Sequence, residues 1–252
     1  MKFKTLQIVK IGSQALFRDK DRIDINKIND IGHDVKYLRD HHGVMTVLVT
    51  SGAISLGKMS RSVAEASNDL VKSRVAASIG QVQLMDLYKL SIGEEVAQIL
   101  ATHVGIANEE SRKNFEEMMR ILINDGIFPI VNYNDTMDDY EMKHVQNFGD
   151  NDKLTETLAI MLNVDRVVIV SNVDGFLDQS GKLIERITAK DDFRQYYTYC
   201  STKSNRGTGG MCSKVSVAEN LLKHGITTII GNSAYNLPDI IDGKVPRTIF
   251  VP

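Results

Sequence analysis

The chain has 252 residues, 42% hydrophobic and 25% charged, with a formal net charge of −2 at neutral pH. These proportions fit a folded globular chain with a sizeable core, and the near-neutral balance excludes the broad basic surface of a nucleic-acid binder. Lys10 interrupts the first apolar run too early for a signal peptide. No apolar run approaches the roughly 20 residues that span a bilayer, so a cytoplasmic chain without a membrane partner is expected. Cys200 and Cys212 are the only cysteines and form no CxxC, a pattern that favours a reducing compartment over a disulfide framework. The histidines at 33, 41, 42, 103, 144 and 224 show no zinc spacing, and His41 and His42 read as a polar helix end before Gly43.

In chain order, TLQIVKIG (5–12) is a β-branched run closed by glycine and predicts a buried strand. From Asp24, a plausible N-cap, Ile28, Ile31, Val35 and Leu38 recur at helical spacing until Gly43. VMTVLVTSG (44–52) predicts a second strand that ends in a small-residue turn. Strand-like VAQILATHV (96–104) follows a helical stretch, and Phe115, Met118, Met119 and Leu122 mark the next helix. GIFPIVNYND (126–135), RVVIVSNVDG (166–175) and GITTIIGN (225–232) predict three more strands. Apolar strands alternating with amphipathic helices imply an α/β domain with a mostly parallel sheet covered on both faces. Residues 176–206 are the least regular, and a surface excursion or hairpin lid is expected there. The Tyr196, Tyr197 and Tyr199 cluster reads as packing rather than a ring-stacking site.

In such sheets ligands collect beyond the carboxyl ends of the strands, and the chemically odd residues fall there. Lys10 lies inside an apolar strand just before Gly12 and Ser13. A lysine in that place either has a partner or buries only its stem and sends its head to solvent. TSGA (50–53) offers the Ser51 hydroxyl and a glycine at a strand end, and by itself reads equally as a tight turn. NYND (132–135) reads as a turn that bonds its own backbone, or as a place where Asp135 meets an ammonium. FGDNDKLTETLAIML (148–162) puts Asp150, Asn151 and Asp152 behind Gly149 at a helix mouth. One such residue suffices for a cap, which leaves two side chains for another task. In GTGGMCSKVSVAENLLKHGI (207–226), glycines precede a helix whose start suits an anion. Lys214 then lies in the first turn, where the macrodipole disfavours a cation unless an anion is also present. Neither a Walker A loop nor a GxGxxG after the first strand occurs. Two lysines, backbone amides and an orienting carboxylate match what phosphoryl transfer needs, which is positioning and charge neutralisation.

The segments VKIGS, VTSGAISLG, ASIGQ, VNYND, FGDNDKL, SNVDGF and GTGGMCSK occur in this order. Together they resemble the amino acid kinase family, and within it the members that phosphorylate L-glutamate. The resemblance runs from Lys10 to the closing GKVPRTIF. It implies a three-layer α/β/α sandwich with a mostly parallel central sheet, as a single domain over residues 1–252. The implied reaction moves the γ-phosphoryl of ATP onto the side-chain carboxylate of L-glutamate, the first step of proline biosynthesis from glutamate. By the same resemblance, Lys10 and Lys214 neutralise the phosphoryl group and Asp152 organises both, while Ser51, Asp135 and Asn151 hold glutamate. ATP falls to Lys10, Ser171, Asn172, Thr208, Gly209, Gly210, Met211, Cys212, Ser213 and Lys214, with Mg2+ arriving on the nucleotide and no dedicated metal ligands. Proline as feedback inhibitor and a homo-oligomer, dimer or tetramer, are also implied.

Three departures stand out. Ser171-Asn172 replaces the usual Thr-Asp pair, and Tyr133 stands where an acidic residue is common. The third is length: many members carry a C-terminal PUA domain of an RNA-binding type, and a chain closing at Pro252 is expected to lack it and any RNA partner. Two other readings compete. One keeps the family with a different acceptor, such as carbamate, N-acetylglutamate, aspartate, a nucleoside monophosphate or isopentenyl phosphate; the other is a nucleotide-sensing module without transfer.

Overall fold

The computed structural model describes residues 2–18, 22–102, 108–137, 150–201 and 210–252. Its frame is a set of short β-branched runs that have no polar face. β1 (Thr5–Ile11) is buried from Leu6 onward, and β2 (Val44–Val49) and β4 (Phe128–Tyr133) are buried at every residue. Strands of that kind must be covered on both faces, which is the condition for a parallel sheet between helix layers. β3 (Val96–Ala101), β5 (Arg166–Ser171), β6 (Arg186–Thr188), β7 (Thr227–Asn232) and β8 (Arg247–Val251) complete it. Among the described residues, eight strands form one sheet in the order β3-β4-β2-β1-β5-β7-β8-β6. All pairs are parallel except β7 with β8. Successive strands depart to opposite sides of β1, and such a switch point is where open α/β sheets place ligands.

The helices are α1 (Ser13–Leu16), α2 (Ile25–His42), α3 (Ala53–Gly57), α4 (Arg61–Ala64), α5 (Asp69–Ile92), α6 (Glu109–Asp125), α7 (Asp150–Leu162), α8 (Phe193–Ser201), α9 (Met211–Lys223) and α10 (Leu237–Asp242). In α2 the Asp24 carboxylate accepts from the Lys27 N–H, and Gly43, left-handed at φ 66°, ends the helix. Its buried stripe is Ile28, Ile31, Val35 and Leu38, the spacing read from the sequence. α2, α3, α5 and α10 pack together as one group, and α7, α8 and α9 as another. No helix among the described residues is long and apolar enough to cross a membrane.

Residues 176–201 differ from the irregular excursion expected over 176–206, the remainder of which lies outside the described residues. The Thr248 hydroxyl on β8 accepts from the Phe176 N–H at 2.7 Å and donates to the Ile184 carbonyl at 2.7 Å. Leu177 and Leu183 pair as an antiparallel bridge, and the chain then joins the sheet as β6 and turns into α8. This stretch up to Ser201 therefore holds a short hairpin, as expected, but is tied to the sheet rather than irregular. Tyr196 is buried edge-on between Phe176 and Phe193, so the tyrosine cluster does pack inward.

The cysteine expectation is corrected. Cys200 at the end of α8 and Cys212 in the first turn of α9 form a disulfide, with Cα atoms 5.2 Å apart. Their sequence separation of 12 carries no signature, and it is the packing of α8 on α9 that brings them together.

One polar hub joins the early part of the chain. The Arg39 guanidinium contacts Glu94 at 2.7 Å, donates to the Gly126 carbonyl at 3.0 Å and lies over the Phe128 ring, and Lys36 reaches the same carboxylate at 2.9 Å. Hydrogen bonds from Arg39 and then Lys36 hold the Glu94 carboxyl down to about 2. A depressed carboxylate stabilises the fold above its ordinary value and loses that contribution as pH falls through the folded one. Urea unfolding should thus show Glu94→Gln less stable than wild type at neutral pH, by roughly 1 kcal/mol because the pair is partly exposed. The gap should close as pH drops from 4.5 towards 2; an unchanged gap would contradict the assignment. For the disulfide, Cys200→Ser or reduction by a dithiol should each cost about 3 kcal/mol by the loop-closure argument. Two free thiols in the unreduced protein, or no change on reduction, would show the cross-link to be absent or idle.

Candidate active site

The carboxyl ends of β1, β2, β4 and β5 open into a cleft of about 550 Å³. Parallel register sets these ends level, with Lys10 beside Val49 on one side and Ile169 on the other, and Val49 beside Val131. Each strand therefore hands its last side chains to the same space.

Lys10 is 7% exposed and its Nζ lies 2.6 Å from Asp152 Oδ1. The solvent-reaching reading of this lysine is thereby excluded. Asp152 sits in the first turn of α7, where the helix dipole favours a negative charge. Its second oxygen accepts from the Ser213 hydroxyl at 3.0 Å and faces Lys214 Nζ at 3.7 Å. Ser213 and Lys214 belong to the first turns of α9, which starts at Gly210 with no side-chain cap. One buried carboxylate thus gathers a cation from a strand end and a cation from a helix start.

Burial alone would push the Asp152 carboxyl upward, but the charges of Lys10 and Lys214, with hydrogen bonds from Lys10 and Ser213, hold it below the usual carboxylate range. Burial pushes the Lys214 ammonium down, and the Asp152 charge only partly restores it against the neighbouring Lys10. The trio carries one surplus positive charge, at the start of α9, where the helix dipole adds to it. Such an arrangement receives an anion.

Beside the trio, the Asn151 amide donates to the Ser51 hydroxyl at 2.7 Å and, at 3.4 Å, to the Asn132 carbonyl oxygen. Ser51 follows β2 after Thr50 and precedes Gly52, whose φ of 110° suits glycine; a Cβ there would also meet the Phe17 ring at 3.0 Å. Asp135 lines the same cleft from the turn after β4. The buried Asn151 Oδ1 has no hydrogen-bond partner among the described residues. A buried acceptor in this state calls for a specific explanation in a native structure.

Of the residues read from the sequence, Lys10, Ser51, Asp135, Asn151, Asp152, Ser171, Asn172, Gly210, Met211 and Lys214 all line this one cleft. Ser213 stands behind it on Asp152, and the Cys212 side chain is turned to Cys200. Thr208, Gly209 and the Asp150 side chain lie outside the described residues. Sequence reading passed over Asn132, the penultimate residue of β4, although its position at a strand end was the available signal. Among the described residues, no cluster of three or more His, Cys, Asp or Glu could hold a metal ion.

The description that matches this chain is the amino acid kinase family, over residues 5–232. The glutamate 5-kinase of Clostridium perfringens is 31% identical over 257 aligned residues, covering 97% of this chain and 94% of that protein. That of Lactococcus lactis is 32% identical, covering 96% and 93%. Among solved structures, carbamate kinase from Giardia lamblia bound to AMP-PNP superposes with a TM-score of 0.69 at 14% identity, covering 100% of this chain and 99% of that one. UMP kinase from Ureaplasma parvum gives 0.64 at 16% identity, with 99% and 100% covered; at these identities the likeness concerns the fold. Sheet, cleft and sequence agree, and the chain belongs to the amino acid kinase family.

Proposed function

We propose that this chain transfers the γ-phosphoryl group of ATP to the side-chain carboxylate of L-glutamate, giving L-glutamyl 5-phosphate and ADP, the step that opens proline synthesis from glutamate. The observation that carries the reading is the pair of ammonium groups held on one buried carboxylate, next to a small polar subsite. Relatives named glutamate 5-kinase at about a third identity over nearly the whole chain support the choice of acceptor.

A side-chain carboxylate oxygen of glutamate forms the new bond to phosphorus, and the bond from phosphorus to the β,γ-bridging oxygen breaks, leaving its electrons on ADP. The acceptor is already ionised at neutral pH, so no residue has to remove a proton. The protein's task is to oppose the charge on the phosphoryl oxygens and to align the two substrates. Lys10 and Lys214 oppose that charge from two directions. Asp152 keeps them at a fixed separation and prevents their mutual repulsion from splaying the cleft. Ser51, Asn151 and Asp135 hold glutamate, Asp135 by its charge on the α-ammonium. Ser171, Asn172 and the stretch from Thr208 to Lys214 hold the nucleotide, with Asn172 as a neutral acceptor and donor in place of a carboxylate. Mg2+ would arrive with ATP, held mainly by the nucleotide, and would supply further positive charge beside Lys10 and Lys214. On the same reading the functional unit is one domain over residues 1–252, working in the cytoplasm as a dimer or tetramer with proline competing at the glutamate subsite.

The test is ATP turnover with L-glutamate and magnesium, trapping the acyl phosphate with hydroxylamine as the hydroxamate. Wild type should form it. Lys10→Ala and Lys214→Ala should each lower kcat about 100- to 1000-fold, the usual cost of removing one charge-stabilising group. Asp152→Asn should do the same with the fold intact. ADP release with another acceptor and none with glutamate would overturn the substrate and leave the kinase. Nucleotide binding without turnover on any acceptor would favour the sensing module.

A further inference from the structure

A backbone N–H fixes the direction of three side-chain amides around the acceptor subsite. The Tyr133 N–H, which can only donate, donates to Asn132 Oδ1 at 2.9 Å. The Asn132 amide nitrogen must then face the other way, and it donates to Gln81 Oε1 at 2.8 Å. Gln81 thereby turns its own nitrogen to a buried place with no hydrogen-bond partner among the described residues. On the opposite side, Asn132 Oδ1 and the Ser51 hydroxyl both receive the Asn151 nitrogen. The Asn151 side-chain carbonyl oxygen is left over, buried and without a hydrogen-bond partner among the described residues, in a cleft-lining residue.

We propose that Gln81 is a positioning residue for the acceptor subsite, whose side-chain carbonyl fixes Asn132 so that Asn151 presents an oxygen to the ammonium group of the bound amino acid. The proposal rests on the glutamate reading above. Gln81 is 6% exposed and Asn132 1%, so water cannot replace the bond between them. In supplying this acceptor, Gln81 leaves its buried donor without a partner among the described residues, and native structures seldom tolerate that without a reason. Its placement is also unusual. A Cβ on the preceding Gly80 would lie 1.9 Å from the Ala53 carbonyl oxygen, and one on Gly57 1.8 Å from that of Ala76. Only glycines let α5 press this closely on α3, and the approach sets Gln81 against the end of β4.

If the amide polarity reversed, Asn151 would offer N–H to the cleft and repel a cationic ligand group. Discrimination between an acceptor with and without an ammonium therefore reports on Gln81. Glutarate is L-glutamate lacking the amine, and the ratio of kcat/KM for the two is the quantity to measure in wild type, Gln81→Met, Gln81→Glu and Asn151→Ala.

In Gln81→Met the ratio should fall about tenfold, the usual effect of losing one buried hydrogen bond to a charged group. The loss should sit in KM for glutamate, with KM for ATP unchanged. Gln81→Glu retains an acceptor at the same reach and should keep most of the wild-type ratio. Adding Gln81→Met to Asn151→Ala should change the ratio no further, because both act through one oxygen.

An unchanged ratio in Gln81→Met would overturn the proposal, as would parallel losses for glutamate, glutarate and ATP, or additive effects in the double variant. If Gln81→Met does not fold by circular dichroism, Gln81→Asn, which withdraws the acceptor by one methylene, decides by the same ratio. A wild type that leaves glutamate unphosphorylated defeats the glutamate reading itself, and this is seen before any variant is made.

Discussion

The Asp152 carboxylate is the constraint on which the cleft depends. It is 2% exposed and stands between Lys10 at 2.6 Å and Lys214 at 3.7 Å. Removing three charges from water costs several kcal/mol for each, so the arrangement persists only with complete partnering. The first turn of α7 favours the anion, Ser213 adds a hydroxyl, and the two cations answer the two oxygens. Because Lys214 occupies a helix start that disfavours it, the ion trio is held in an electrically tense state that an entering polyphosphate relieves. Burial pushes the Lys214 ammonium down, with Lys10 adding to it, while the two cations keep the Asp152 carboxyl ionised.

The remaining architecture serves to bring these groups to one point. Lys10 comes from β1, Asp152 from α7 and Lys214 from α9, and more than half the chain lies between β1 and α7. They meet because β1 lies at the centre of the sheet, with β2 and β5 on its flanks in parallel register. α7 packs on β1 and β4, α9 packs on α7, and the disulfide fixes the start of α9 to α8. A second set of amides, Gln81, Asn132 and Asn151, carries a fixed polarity from a buried backbone N–H to the neighbouring subsite. Charge is thus arranged for one substrate and hydrogen-bond direction for the other.

Much of this was legible in the residues. β1, β2, β4, β5 and β7 announced themselves because strands covered on both faces must be apolar throughout. Lys10 in such a strand and Asp152 behind a capping position were conspicuous for the same reason: each is a charge where burial demands a partner. Other features left no local trace. β6 has three residues, Arg186–Thr188, and is a strand only because β8 offers it an edge. The pairing of Cys200 with Cys212 and the hydrogen bond from Asn132 to Gln81 depend on helix packing across 12 and 51 residues of sequence. The Ile79-Gly80-Gln81 stretch did hold a clue, since a glycine inside a long helix usually marks a close approach.

The central claim is that Asp152 holds two ammonium groups ready for one transferring phosphoryl. A crystal structure with ADP, magnesium, aluminium fluoride and L-glutamate tests it most directly, since the planar fluoride imitates the group in flight. The account predicts Lys10 Nζ and Lys214 Nζ both within about 3.2 Å of its fluorides, with Asp152 still between them. A fluoride group bound beyond reach of either lysine, or an Asp152 turned away from both, would contradict it.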